Sequence, residues 1–146
     1  MRTKFTAILL LLSAAVLFGK PSTPAPGSPE RKAICDAMRE YVLAQTRKPV
    51  ARSILFKIEF LKVDGNYAGF EGFPVNADGS PVPDGLLGDA VFMTFLKKTN
   101  GNWRVVQDLT RSDVPSEEEL GQIRRKFPAD IPSSVIPDFW RKLLRP

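Results

Sequence analysis

The sequence predicts an α+β fold in which an N-terminal helix packs on a four-stranded antiparallel meander and two short C-terminal helices follow. Three observations carry this expectation. Apolar residues recur at helical spacing just after residue 28. Four strand-like runs come next, with Asp64-Gly65 and Asn100-Gly101 as hairpin turn signals. Ser116 and Glu119 then form a capping box that opens a second helical region.

The chain begins Met1-Arg2-Thr3-Lys4, two cations without an acid, and continues with an uncharged apolar run through Phe18. That run is shorter than the roughly 20 residues a membrane-crossing helix needs. A basic start followed by an apolar stretch of this length reads as a secretory signal peptide over residues 1–19. Cleavage is expected after Gly19, with Ala15 as a second option and a retained N-terminal anchor as the alternative. Export to the periplasm or outside a bacterial cell is therefore the expected location, with no stable membrane span after cleavage. Processing also removes Arg2 and Lys4, so the formal charge of +5 belongs partly to the leader. What remains is too modest to point to nucleic acid.

Residues 20–28 (KPSTPAPGS) read as an extended, exposed Pro/Ser-rich linker. The α+β domain is expected over residues 29–114. Ser28 is the predicted N-cap of its helix, with Pro29 at the first helical position and Glu30 in the first turn. Ala33, Ile34, Ala37, Met38, Tyr41 and Val42 form the apolar face. In residues 54–60 the even positions are all large and apolar, the period of a strand. The other strands are expected at 66–75, 89–98 and 103–109, with a loop over 76–88. The extension over residues 115–146 carries one helix with Leu120, Ile123 and Phe127 on its apolar stripe. A last helix over 137–144 bears Phe139, Trp140, Leu143 and Leu144. That basic, aromatic end can dock on its own domain or lie on an anionic membrane; docking is the simpler expectation at this length.

Three segments carry a resemblance: Glu30-Arg31-Lys32-Ala33-Ile34 on the helix, Val63-Asp64-Gly65-Asn66-Tyr67-Ala68 at the first hairpin, and Asn102-Trp103-Arg104-Val105-Val106 with Ser112-Asp113-Val114 after it. With the element order, they resemble the NTF2-like and cystatin-like folds, and small exported bacterial proteins of unknown function. The resemblance covers about residues 30–114. It implies a curved sheet and an exported setting, and it brings no catalytic residues to transfer.

The chain has no histidine and one cysteine, Cys35. Ser-His-Asp and Cys-His nucleophile systems, a disulfide framework and a His/Cys zinc site are thereby excluded. No cofactor or metal is expected, and carboxylates and tyrosines are left for any acid-base chemistry.

A two-residue Asp64-Gly65 loop would pair Val63 with Asn66, Phe60 with Gly69, Ile58 with Glu71 and Phe56 with Phe73. Glu71 would then share an apolar face with Ile54, Phe56, Ile58, Phe60, Tyr67 and Phe73, where burial would raise its pKa. A register shift, or a rim position reaching solvent or an arginine, is the competing account. The second hairpin sets Trp103 opposite Lys98, Val105 opposite Leu96 and Asp108 opposite Met93. Asp108 is the second acid-base candidate, against a plain salt bridge to Arg104 or Arg111. Tyr41, Tyr67 and Trp103 are candidates to line a ligand cavity, or else to pack the core.

The leading functional expectation is a small exported, non-catalytic module that binds a small ligand or another envelope protein, with an exposed sheet edge able to support a homodimer. One alternative is a lyase, isomerase or hydrolase using Glu71 or Asp108, with Tyr67 assisting. The other is a cystatin-like inhibitor of a secreted hydrolase, acting through the 76–88 loop.

Overall fold

The computed structural model describes residues 20–46, 54–82 and 91–145. The signal peptide expected over residues 1–19 and residues 83–88 of the expected binding loop lie outside these. Helix α1 (Pro29–Gln45) is followed by strands β1 (Leu55–Asp64), β2 (Tyr67–Val75), β3 (Phe92–Thr99) and β4 (Asn102–Asp108), then by helix α2 (Glu117–Lys126), a 3₁₀ turn (Ser133–Val135) and helix α3 (Asp138–Leu144). The strands form one antiparallel sheet in the order β1-β2-β3-β4, the expected meander.

Helix α1 starts where its capping signals place it. Ser28 Oγ accepts from the Arg31 amide at 3.3 Å, and Pro29 occupies the first turn, where its missing N–H costs nothing. Ile34, Met38 and Val42, each four residues after the last, form a fully buried stripe facing the sheet. They meet Leu61, Ala68, Phe70, Phe92, Leu96 and Trp103, and Phe56 packs edge-on against Phe70 with ring centres 5.3 Å apart. This filled core takes up the space between α1 and the sheet.

The opposite face is covered too. Met93, Phe95 and Leu109 pack with Ile131, Val135, Ile136, Trp140 and Leu144 from the C-terminal segment. Residues 123–144 therefore form a third layer on the sheet. Gly69 shows how close that layer comes, since a Cβ there would lie 1.9 Å from the Val135 carbonyl oxygen. Ser134 Oγ donates to Asp64 Oδ2 at 2.5 Å and fastens the 3₁₀ turn to the first hairpin. The N-terminal stretch is fastened as well: Ser22 and Val63 exchange two backbone hydrogen bonds at the free edge of β1.

The first hairpin departs from the expected register. Asp64 pairs with Tyr67, so Gly65 and Asn66 make the loop. Gly65 has φ +57° while Asn66 stays out of the positive region, the pattern of a type II′ turn. A bulge at Glu59 then shifts the register between Ile58 and Phe60. The turn position sets Glu71 opposite Phe60, and the bulge sets Ile58 opposite Gly72. Glu71 shares its face with Phe60, Tyr67 and Phe73 as expected, whereas Ile54, Phe56 and Ile58 lie on the α1 side. One inserted residue reverses the facing of everything before it.

The second hairpin keeps its expected start, with Asn100 (φ +51°) and Gly101 (φ +79°) as a type I′ turn and Trp103 opposite Lys98. Val105 opposite Leu96 also holds. Between there and Asp108 the ladder slips by one residue at Val106, so Asp108 faces Thr94 and not Met93.

Candidate functional site

The space beside the core, between α1 and β4, is an open groove of about 780 Å³. It exists because of helix spacing and side-chain size. The stripe Ala33, Ala37, Tyr41 runs next to the buried stripe of α1, and its two alanines stop short of β4. Asp36 and Glu40 stand along the helix wall; Trp103, Arg104 and Val105 form the strand wall.

Two of the three expected aromatic residues meet here, and both have their polar ends engaged within the protein. Trp103 Nε1 donates to Glu30 Oε1 at 2.8 Å, and Lys98 Nζ donates to both Glu30 oxygens at 3.2 and 3.1 Å. The Lys98 ammonium also lies 5.4 Å from the Trp103 ring centre. Glu30 thus ties the first turn of α1 to the tips of β3 and β4, where its charge also suits the helix dipole. The Tyr41 hydroxyl donates to Asp108 Oδ2 at 2.6 Å. Burial, then the bond and charge of Asp108, pushes the Tyr41 phenol up to about 12.

Tyr67 lies elsewhere. It stands on the opposite sheet face, where its hydroxyl donates to Asp130; Lys97 Nζ donates to the same carboxylate at 3.0 Å and sits 5.1 Å from the Tyr67 ring centre. This cluster fastens the chain before the 3₁₀ turn to the sheet.

The two acids do not converge. Asp108 aligns through Thr94 with Phe70 on the α1 face, while Glu71 aligns with Met93 on the other. Both Asp108 oxygens already accept hydrogen bonds, Oδ2 from Tyr41 and Oδ1 from the Thr110 amide at 2.7 Å. Asp108 also borders a smaller cavity of about 280 Å³ beneath α2, with Arg111, Glu119, Gln122 and Lys126. Arg111 donates there to Glu119 at 2.8 Å. Glu71 is half-buried, and burial reinforced by the charge of Glu59 pushes its carboxyl up from the usual range. It borders none of these cavities.

Cys35 is half-buried and unpaired, and burial raises its thiol pKa. No group of three metal-ligating side chains occurs among the described residues, and no helix there is long and apolar enough to cross a membrane.

Asp36 and Glu40 were not singled out by sequence, which named Glu30 only in the first helical turn and Arg104 only as a salt-bridge partner for Asp108. The Ala33-Ala37-Tyr41 spacing was a usable signal, because two small residues beside a packed stripe leave room at an interface. No family model, curated protein or solved structure matches the chain.

Proposed function

We propose that this protein is a small exported, non-catalytic binding module whose ligand or envelope partner sits in the α1–β4 groove. One observation carries the reading: Tyr41 and Trp103 stand in one trough beside the helix, with their polar ends already satisfied. Tyr41, partly exposed, offers apolar area at fixed orientation, and Trp103, 5% exposed, forms a rigid wall behind it, so little conformational freedom is lost when a ligand arrives. A groove of about 780 Å³ also falls in the range used by ligand sites, roughly 300–1,000 Å³. Against an acid-base enzyme stand the placement of Glu71 and Asp108 on opposite faces and the engagement of both Asp108 oxygens.

A photo-reactive side chain at Ala37, compared with one at the exposed Glu117, tests the groove in the native host. Specific crosslinks at Ala37 that disappear when Ala33 is replaced by Trp support the proposal. Equal labelling at both positions overturns it. Fractionation of the same cells tests export: a chain beginning near Lys20 in the envelope supports it, and full-length chain confined to the cytosol refutes it.

A further inference from the structure

The C-terminal layer has a pocket that the groove reading does not use. It lies between the end of α2 and the end of α3, is an open depression of about 270 Å³, and is lined by Arg124, Phe127, Pro128, Ala129, Leu144 and Arg145. Its composition is divided: the floor is apolar and two guanidinium groups border it.

Both guanidinium groups are held by backbone. Arg124 Nε donates to the Leu143 carbonyl at 2.7 Å, and an Arg145 Nη donates to the Ile131 carbonyl at 2.8 Å. Each bond uses one of five donors and orients the planar group. Among the described residues, neither guanidinium meets a carboxylate. Three nearby acids are committed elsewhere: Glu119 takes Arg111, Asp130 takes Lys97 and Tyr67, and Asp138 takes Arg141. Arg125, Lys126 and Lys142, all exposed, add positive charge to the same helices. The floor is firm, since the Phe127 ring packs edge-on against buried Phe95 with centres 5.2 Å apart, and Leu144 is 8% exposed.

We infer that this pocket binds an amphiphilic oxyanion, a phosphate or carboxylate head with an apolar body. The head lies between Arg124 and Arg145, whose forks suit two-oxygen acceptors. The body lies on Phe127, Pro128 and Leu144. Two sources supply this chemistry, a free amphiphile and an anionic lipid, and the geometry of the pocket is the same for both.

The test is a calorimetric titration of the full chain with octyl phosphate below its micelle concentration, beside inorganic phosphate and octanol. Octyl phosphate is expected to bind saturably and at least about tenfold tighter than either fragment, because head and body contribute together. Arg124→Gln and Arg145→Gln should each weaken it about tenfold, while Arg125→Gln leaves it within about twofold. Ala129→Glu places an acid at the rim without disturbing either arginine–carbonyl bond and should abolish binding, so the inference stands apart from any loss of folding. Binding unchanged in Ala129→Glu, loss in Arg125→Gln equal to that in Arg124→Gln, or octyl phosphate no tighter than its fragments each overturns it. Vesicles distinguish the source. Sedimentation with phosphatidylglycerol–phosphatidylcholine vesicles that Ala129→Glu eliminates identifies an anionic lipid, and sedimentation indifferent to that substitution identifies the free amphiphile.

Discussion

Replacing Gly69 with alanine probes the contact that joins the C-terminal layer to the sheet. In an open strand this change is favourable by roughly 0.5–1 kcal/mol, because alanine loses less backbone entropy on folding. Here the added methyl would sit 1.9 Å from the Val135 carbonyl oxygen and 3.2 Å from the Phe60 ring, where ordinary contact begins near 3.4 Å. About 1.5 Å of overlap has to be relieved, and the obstacle is backbone, which no rotamer change can remove. The 3₁₀ turn must therefore lift from β2. Val135 at 0%, Ile131 at 1% and Ile136 at 2% exposure would lose part of their packing, each worth about 1.5–3 kcal/mol when fully buried. Overpacking alone costs about 1–3 kcal/mol, so Gly69→Ala is expected to destabilise by about 3 kcal/mol or more. In urea that lowers the unfolding midpoint by roughly 1–3 M. Gly121→Ala in α2 is the matched control: its nearest neighbour is a flexible Arg125 tip at 3.7 Å, and a gain of up to about 1 kcal/mol is expected. If Gly69→Ala is as stable as the parent while Gly121→Ala behaves as stated, the close approach of the turn to β2 is wrong.

Two further expectations concern protons. Glu71 has a raised pKa when folded, so the native state holds its proton longer than the unfolded chain and stability declines as pH rises through that range. Glu71→Gln should match the parent in acid and exceed it at neutral pH, as denaturation curves at several pH values will show; a parallel offset at every pH would refute the assignment. Tyr41 titrates near 12 in the folded protein, above its ordinary value of 10, and its contribution to stability is lost as pH rises across that window. Absorbance at the phenolate band should contain a late step that Tyr41→Phe removes, and retention of that step in the variant would contradict the Tyr41–Asp108 bond.

Helices and turns were readable because their causes are local. Ser28, Pro29 and the Ser116–Glu119 pair place helix starts through short-range bonds; the Asn100-Gly101 turn lies as expected, and the first turn lies one residue later than expected, at Gly65-Asn66. The bulges at Glu59 and Val106 were not read, and with them went the facing of Phe56 and Ile58 and the partner of Asp108. A signal was present nonetheless. Gly72 stands inside a strand, and a Cβ there would lie 2.7 Å from the Lys57 carbonyl oxygen, beside the Glu59 bulge. Gly69, in the same strand, marks the approach of the 3₁₀ turn. Interior strand glycines therefore pointed to both features that alternation alone missed. The consecutive apolar run Phe92-Met93 with Phe95-Leu96 likewise signals a strand buried on both faces, the condition that the C-terminal helices satisfy. The α1–β4 groove was half legible: Tyr41 and Trp103 were singled out, but their meeting depends on how a helix lies on a sheet, which no local pattern encodes.

The C-terminal layer also sets the order in which the protein can be finished. A ribosome completes all four strands by Asp108, whereas the residues that cover the second face lie between Ile123 and Leu144. Until they emerge, Met93, Phe95 and Leu109 have no cover, and the nascent sheet presents a sticky surface of the kind that recruits chaperones or aggregates. A chain that stops after β4 would therefore have the whole meander yet carry an exposed apolar face, the kind of surface that quality control recognises.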